Sequence, residues 1–421
     1  MPYEEHLTNV LDLIGKYQNL VDCHLVDFIT EDLWDKFVPS SMKLELEGIA
    51  SQDPKTDWWK TELSSELNSF KKLTESLKLS NCPEVINFNS LTSMISKTEN
   101  RERNTVPLKQ ESFFMKNKKW HEIDRFSKAI AHFMENDFDL IIDAGSGKAY
   151  LSQYLSEVYG IPALAIESST SHYNSALLRK DLIHQKYGLS FPKVCYVNES
   201  INEMTDYSSL IDVNFLDGNN KNNAILVGLH TCGNLTHAMC KSFIYAKDIK
   251  CLCIVPCCYH LITNSFTIEP HFSRNARMLA QQSLERISCK TEPMCEKLFY
   301  RAILQVLLRS LEIDDVKIGR GGPSSDFPNY ANWALNKVGV SSKQIPSKEC
   351  LEHMYKTYVA EQWKLEVFHM LRMYLAPVVE AAIVLDMATF LKQSNDSLKP
   401  KIIQLFDPAV SPRNYAIIAT K

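Results

Sequence analysis

The sequence has little net charge and lacks a long uninterrupted apolar run. Its 421 residues include 46 lysines and arginines against 50 aspartates and glutamates, a formal net charge of −4. So small a charge creates no overall field that attracts nucleic acid, so RNA binding would need a local basic patch. The longest apolar run near the C-terminal end, Ala376–Met387, is interrupted by Glu380 and Asp386 and is too short to span a bilayer. We therefore expect no membrane association.

Secretion signals and the usual zinc motifs are also missing. No charged-then-apolar segment opens the chain, and its 12 cysteines include no Cys-x-x-Cys pair. The close spacings at Cys251-x-Cys253 and Cys257-Cys258 match no ordinary zinc-finger pattern. We therefore expect free thiols, a reducing cytoplasmic or nuclear location, and no metal site.

The strongest pattern runs from Leu140 to Gly147. An apolar stretch ends in an acid, two glycines follow one residue apart, and residues 148–159 have the apolar spacing of a helix. Glycine allows a tight turn and a close approach of a ligand to the main chain. In doubly wound sheets such a turn lies at the ligand-binding edge. The predicted cofactor residues of this segment are Asp143, Gly145, Ser146, Gly147 and Lys148.

A dinucleotide fingerprint requires a third glycine, and this chain has none at that place. Lys148-Ala149-Tyr150 stands there instead. Loss of the phosphate cradle argues against NAD and favours a nucleoside ligand without pyrophosphate, namely S-adenosylmethionine. The structural alternative is a tight strand-to-helix turn with no ligand.

A second acid follows at the distance that a nucleoside ligand requires. The apolar stretch 160–166 predicts another strand, and Glu167 closes it about twenty residues after the second glycine. A carboxylate there can hold the ribose hydroxyls, with Ser168 beside it. Glu199 and Ser200, after the next predicted strand, are expected to face the adenine.

Strands and helices alternate through the middle of the chain, which predicts an α/β fold with a doubly wound, mainly parallel sheet. Residues 1–105 form a helical N-terminal region in this prediction, and residues 106–421 form the second domain. Within it, residues 261–399 are a largely helical insertion. The strands predicted at 401–406 and 414–419 close the sheet as an antiparallel pair, as in Rossmann-like class I methyltransferases.

Polar residues at the ends of the fourth and fifth predicted strands are the candidates for catalysis. His230 follows the fourth strand, where a base can take a proton from a hydroxyl or amine acceptor. Cys257-Cys258-Tyr259-His260 follows the fifth. Three roles compete for this second group: shaping the acceptor pocket, with Tyr259 or His260 positioning the substrate; binding zinc with His230 and Cys232; or supplying Cys257 as a methyl-accepting nucleophile. We favour pocket shaping.

A basic cluster with an aromatic residue precedes the first sheet strand, at residues 115–122. It could line the mouth of the crevice, where lysines hold phosphates and Trp120 stacks on a base. The alternative is a solvated helix start. Three side chains of the cluster are predicted at the acceptor: Lys119, His121 and Glu122.

Three motifs together resemble those of the methyltransferase-like protein 25 family. They read Asp-Ala-Gly-Ser-Gly-Lys at 143–148, Gly-Leu-His-Thr-Cys-Gly-Asn-Leu at 228–235, and Cys-Cys-Tyr-His at 257–260. The second and third are also similar to motifs of eukaryotic tRNA ribose 2′-O-methyltransferases, with Tyr259 in place of a histidine and Asn234 where Asp is more usual. The resemblance implies a Rossmann-like methyltransferase that uses S-adenosylmethionine.

The leading functional prediction is therefore an S-adenosylmethionine-dependent methyltransferase whose acceptor is RNA, at a ribose hydroxyl or a base. A second prediction is methylation of a protein side chain, with the helical insertion as the docking surface. A third is a methyltransferase fold without catalytic activity that binds a partner and keeps the cofactor as a structural ligand.

Overall fold

A computed structural model gives the architecture of the chain. It describes residues 2–52, 65–96, 113–133, 138–191, 193–215, 223–268, 272–282, 296–313, 316–319 and 321–421.

The central element is a seven-stranded sheet with the spatial order β3-β2-β1-β4-β5-β7-β6. The strands are β1 (Leu140–Ala144), β2 (Ala163–Ile166), β3 (Val194–Val197), β4 (Ala224–Cys232), β5 (Ile249–Cys257), β6 (Lys401–Gln404) and β7 (Tyr415–Thr420). The first five pair in parallel, and β7 lies antiparallel between β5 and β6. The predicted mainly parallel, Rossmann-like class I methyltransferase sheet with an antiparallel C-terminal strand is thus confirmed.

Burial explains why these segments form strands. All five residues of β1 are buried, as are all four of β2. A parallel strand covered on both faces reads as a continuous apolar run, not as an alternating pattern. The register places Asp143 beside Ala165 of β2 and Val227 of β4. The carboxyl ends of β1, β2 and β4 therefore meet at one edge of the sheet.

Sixteen α-helices occur among the described residues. They are α1 (Pro2–Lys16), α2 (Gln18–Asp22), α3 (Leu33–Phe37), α4 (Ser40–Gln52), α5 (Ser65–Ser76), α6 (Phe88–Ser96), α7 (Asn117–Phe133), α8 (Tyr150–Tyr159), α9 (Thr170–Tyr187), α10 (Tyr207–Asn214), α11 (Leu235–Tyr245), α12 (Arg274–Leu279), α13 (Glu296–Ser310), α14 (Phe327–Lys337), α15 (Lys348–Tyr358) and α16 (Gln362–Ser394).

The chain divides into two compact units, each built from separated segments. The first contains Met1–Asp12, Leu77–Arg286 and Pro377–Lys421, and the second contains Leu13–Ser76 and Ile287–Ala376. This grouping follows spatial contacts and not chain order, so its boundaries differ from the predicted division into 1–105 and 106–421.

The second unit is helical and has an aromatic core. Edge-to-face ring pairs pack its helices, with centroids 5.3 Å apart for Trp34 and Trp363 and 5.1 Å apart for Tyr17 and Phe70. Such pairs stabilise a core by more than their area alone, because the positive edge of one ring meets the negative face of the other.

In the first unit, the C-terminal part of α16 carries two buried acids, Glu380 and Asp386. Buried carboxylates need partners. Asp386 accepts the backbone N–H groups of Phe266, Thr267 and Ile268 at 2.9, 2.8 and 3.1 Å. These bonds fix the segment that follows β5 against the helix.

Among the described residues, one helical stretch, Lys348–Ser394, is long and apolar enough to cross a membrane by length and composition alone. Within the structure, 83% of its most apolar window is buried, as is common for a core helix.

Candidate functional site

A cavity of about 650 Å³ opens at the carboxyl ends of β1, β2 and β4, all within the first unit. Six of the nine predicted cofactor residues line it: Gly145, Gly147, Glu167, Ser168, Glu199 and Ser200. Of the predicted catalytic residues, His230 lines it. This is the position at which doubly wound sheets bind ligands.

The glycine turn forms the floor of the cavity. Gly145 and Gly147 have φ angles of +67° and +58°, a region that residues with a Cβ rarely adopt. A Cβ at Gly145 would lie 2.8 Å from Cδ2 of Leu235, whereas one at Gly147 would meet no atom within 4 Å. The first glycine is therefore required for both packing and conformation. The second is required for conformation and leaves the cavity open.

Glu167 closes β2 and joins it to the turn. Its Oε2 accepts the backbone N–H of Gly147 at 2.8 Å, and its Oε1 accepts that of Ser169 at 2.7 Å. The side chain is largely buried yet lines the cavity. These bonds hold the carboxylate where the sequence predicted a ligand for ribose hydroxyls.

Asp143 is not in the described lining of the cavity, which corrects the prediction that it contacts the cofactor. It lies beneath the turn, 2% exposed, and accepts a hydrogen bond from Oγ of Ser152 at 2.6 Å. Burial raises the pKa of its carboxyl to about 6, against the opposing effect of that bond. Asp143 therefore anchors α8 to β1. Ser146 and Lys148 are also absent from the described lining of the cavity.

His230 pairs with Glu122 at the edge of the cavity. Nε2 of His230 lies 3.2 Å from Oε2 of Glu122, on α7. The same carboxylate, 1% exposed, has Nζ of Lys119 at 2.9 Å and accepts Oγ–H of Ser411 at 2.9 Å. A fourth group, Nζ of Lys118, is 3.7 Å away. The structure thus brings three predicted residues, His230, Glu122 and Lys119, into one network.

The network determines the charge of Glu122. Burial by itself would raise the pKa of this carboxyl, but the hydrogen bond and charge of His230, together with those of Lys119, lower it to about 2. Glu122 is therefore ionised at neutral pH. A carboxylate at Nε2 favours the imidazole tautomer with hydrogen on Nε2, which leaves Nδ1 to accept a proton.

Two aromatic residues predicted at the mouth of the crevice lie elsewhere. The ring of His121 packs near Phe406, and its Nε2 accepts the backbone N–H of Asp407 at 3.2 Å. The indole of Trp120 packs edge-on against Tyr154, with centroids 5.6 Å apart. His121 therefore fixes a loop, and Trp120 is a core contact and not an exposed surface for stacking a base.

Tyr259 and His260 also differ from the prediction. Tyr259 is buried, and its hydroxyl donates to Oε1 of Glu380 at 2.9 Å. His260 lies with its Nδ1 2.6 Å from Nε2 of Gln281. Neither residue is part of the described lining of the cavity. The two side chains therefore hold the segment after β5 in place.

The predicted Cys257 and Cys258 lie together with Cys232. Their three sulfur atoms are all within 4.8 Å of one another, and those of Cys232 and Cys257 are 3.0 Å apart. The hydrogen bond from Cys257 lowers the pKa of the Cys232 thiol and raises that of Cys257 itself. Of the three, Cys232 lines the cavity and is exposed.

Sequence reasoning missed one wall of the cavity. His237, near the start of α11, has Nδ1 2.9 Å from Oε1 of Glu203 and stacks on Phe266 at a centroid distance of 4.4 Å. Both His237 and Glu203 line the cavity, as do Asn202 and Asn264. These residues follow a strand end or a helix start, which is the one feature of the sequence that could have indicated them. No local motif includes them.

The lining is acidic. Among the described residues it contains three carboxylates, Glu167, Glu199 and Glu203, and neither lysine nor arginine. Such a surface attracts a cation and repels a pyrophosphate. The charge thus agrees with the missing third glycine in disfavouring a dinucleotide.

A family model matches the middle of the chain. Residues 118–265 match the family model described as "Methyltransferase domain". The match covers less than half of the chain, and the sheet order is that of a Rossmann-like class I methyltransferase fold.

Two curated relatives are similar to this chain over part of their length. "Probable methyltransferase-like protein 25" of Homo sapiens is 34% identical over 222 residues, which cover 47% of this chain and 37% of that protein. "tRNA:m(4)X modification enzyme TRM13" of Vanderwaltozyma polyspora is 25% identical over 179 residues, 38% of this chain and 40% of that protein. The chain thus matches less than half the length of either relative. A structure of the plantazolicin methyltransferase BpumL in complex with SAH is similar over 85% of this chain and 96% of that one, at 11% identity and a TM-score of 0.29.

Proposed function

We propose that this chain transfers a methyl group from S-adenosylmethionine to RNA, at a ribose hydroxyl or a base. The observation that carries the proposal is the Glu122–His230 pair, which lies at the edge of a cavity shaped for a cationic nucleoside.

The described residues of the cavity suit S-adenosylmethionine. Glu167 has the position to accept hydrogen bonds from ribose hydroxyls, and Gly145 and Gly147 leave the main chain open to the amino-acid part of the donor. Glu199 and Ser200 line the same cavity and are the residues proposed to face the adenine. The carboxylates of the lining compensate the positive charge of a sulfonium. When bound, the donor supplies an electrophilic methyl group.

His230 is the proposed base. Glu122 holds its Nε2, so Nδ1 can take the proton that a hydroxyl acceptor loses as it attacks the methyl group. The ionised carboxylate also stabilises the imidazolium that results. Because Lys119 and Ser411 occupy the other positions around Glu122, the carboxylate has little freedom to turn away from the imidazole.

RNA as the acceptor is supported by the basic side chains beside this pair. The side chains of Lys118 and Lys119 are 56% and 31% exposed. Both ammonium groups lie near the carboxylate of Glu122, which contacts His230. They form the kind of local patch that a chain of charge −4 needs to hold phosphates. The similarity to a tRNA modification enzyme favours the same acceptor.

The test is transfer of tritium from methyl-labelled S-adenosylmethionine to total RNA by the purified full chain. We expect label that ribonuclease releases and protease does not. His230→Ala should lower the rate by about 10²-fold or more, because a general base contributes on the order of 10²–10⁴. His353→Ala, an exposed histidine on α15, is the matched control and should leave the rate unchanged.

Label that protease releases would instead identify a protein acceptor. Absence of any transfer to RNA or protein, while the donor still binds, would favour a fold that keeps the cofactor without catalysis. An unchanged rate in His230→Ala would remove the proposed base.

A further inference from the structure

Three cysteine thiols converge at the ends of β4 and β5. Cys232 is the last residue of β4 and Cys257 the last of β5, and the two are partners in the parallel register. Cys258 is the next residue of the chain. The three sulfur atoms lie within 4.8 Å of one another. This cluster is separate from the Glu122–His230 pair and has no part in the proton transfer described above.

The backbone conformation at Cys258 places its thiol beside those of Cys232 and Cys257. Cys258 has φ +49° and ψ +47°, a left-handed conformation that is unfavourable for a residue with a Cβ. It begins the short helical turn Tyr259–Leu261. Directly after β4, Gly233 has φ +57°, and a Cβ there would lie 2.8 Å from Cβ of Leu261. The glycine therefore lets this turn pack closely over the end of β4.

The chemistry of the cluster is that of a soft metal site. Thiolates are preferred ligands of zinc, which binds them tetrahedrally at about 2.3 Å. Sulfur atoms around such an ion are therefore about 3.8 Å apart. The 3.0 Å separation of Cys232 and Cys257 and the 4.8 Å limit for the cluster bracket this spacing. Small side-chain rotations are enough to reach it.

We propose that Cys232, Cys257 and Cys258 bind one zinc ion as thiolates, with the fourth coordination position open toward the cavity. Binding replaces the three thiol protons, which pass to solvent. Cys232 gives the site access, since it is exposed and lines the cavity. The ligand set differs from the zinc alternative considered from the sequence, because the group of ligand atoms within 4.8 Å of one another contains the three thiols and not His230.

The third thiol favours a metal over a disulfide. A disulfide between Cys232 and Cys257 would use the closest pair and leave Cys258 without a function, although its backbone carries the conformational cost. An ion engages all three. Two other described thiols of β5, those of Cys251 and Cys253, are buried and lie outside this cluster. A cysteine in this strand is therefore not enough by itself to join the cluster.

The experiment is metal analysis of the full chain, independent of any methyltransferase activity. Protein purified under reducing conditions should contain about one zinc per chain by inductively coupled plasma mass spectrometry. After removal of the metal with a chelator, addition of cobalt(II) should give thiolate-to-cobalt charge-transfer absorption that saturates at one equivalent. Cys350→Ser, an exposed thiol of α15 outside the cluster, is the control and should behave as wild type.

Cys258→Ser should weaken zinc binding at least tenfold and reduce the charge-transfer intensity. Cys232→Ser, at an exposed position, tests the same site if the first variant folds poorly. Wild-type protein that takes up neither zinc nor cobalt while all its thiols are reduced would overturn the proposal. So would a Cys232–Cys257 disulfide in peptide mapping with Cys258 free and no metal present, which would identify a redox pair.

Discussion

Glu122 of α7 and His230 of β4 form a carboxylate–imidazole pair, with 3.2 Å between Oε2 and Nε2. The two residues are far apart in the chain and meet because α7 packs against the sheet beside the end of β4. The carboxylate is 1% exposed, whereas the imidazole is 29% exposed. A buried anion behind a partly exposed base is the arrangement that orients a base toward a substrate.

Glu122→Gln should lower the methyl-transfer rate by about 10²-fold or more while the affinity for S-adenosylmethionine stays within a factor of two. Glutamine keeps the shape but neither stabilises an imidazolium nor selects the same tautomer. Initial rates at saturating donor, together with calorimetric donor affinities, test this. Glu361→Gln, in a partly exposed ion pair with Lys364, is the matched control. Equal losses of rate and donor affinity would instead point to a disordered cavity.

The same residue should contribute to acid stability. Its folded pKa of about 2 lies below the ordinary value of 4.5, so its contribution is present above pH 4.5 and is lost as the pH falls through 2. Urea unfolding of wild type and Glu122→Gln across this range should show their difference in unfolding free energy shrinking as the pH falls. A constant difference would contradict the lowered pKa.

Asp143 should have the opposite effect on the pH dependence of stability. Its folded pKa of about 6 lies above the ordinary 3.8, so its stabilising contribution is present below pH 3.8 and is lost as the pH rises through 6. Asp143→Asn, which can still accept from Ser152, should gain stability relative to wild type by up to about 3 kcal/mol over this interval, at 1.36 kcal/mol per pKa unit. Parallel pH profiles of the two proteins would contradict the raised pKa of Asp143.

The two glycines of the turn should respond differently to a methyl group. Gly145→Ala should destabilise the protein more than Gly147→Ala, because its Cβ would press on Leu235 in addition to the conformational strain of about 1 kcal/mol that both share. Gly188→Ala, at φ +69° after α9, carries the strain without a contact or a place in the cavity. Thermal unfolding and donor titration should show Gly188→Ala destabilised but binding normally. Equal stability of the two turn variants would exclude the contact with Leu235.

Tyr259→Phe should affect stability and not catalysis. It removes one buried hydrogen bond to Glu380, whose carboxylate keeps Nη1 of Arg413 at 3.0 Å, so the expected cost is about 1 kcal/mol. The transfer rate should stay within a factor of two. A large loss of rate without loss of stability would return Tyr259 to the acceptor site that the sequence predicted.

The part of the cavity around the glycine turn could be predicted because its signal is local. A strand, a glycine turn and a helix in direct succession specify their own geometry, and the acid after the next strand follows from the parallel register. For that reason Gly145, Gly147 and Glu167 lie where they were expected. Asp143 belongs to the same motif but points under the turn, since a strand alternates its faces and the pattern does not say which face a ligand meets.

The arrangement around His230 depends on contacts between distant segments. His121 and Glu122 are neighbours, but successive residues of a helix point about 100° apart, so one of them faces a loop and the other faces His230. The charge pattern of α7 does not decide between them. Similarly, Cys257, Cys258 and Tyr259 follow one another, yet the left-handed backbone at Cys258 sends the thiols to Cys232 and the phenol into the core.

The most direct measurement is isothermal titration of the full chain with S-adenosylmethionine, for wild type and Glu167→Ala, with Glu361→Ala as the control. We predict one binding site in wild type and a dissociation constant raised about 10- to 100-fold in Glu167→Ala, the equivalent of losing hydrogen bonds to a charged group. The control should bind as wild type. Absence of binding to folded wild-type protein, or the same affinity after Glu167→Ala, would contradict the assignment of this cavity as the site of the methyl donor.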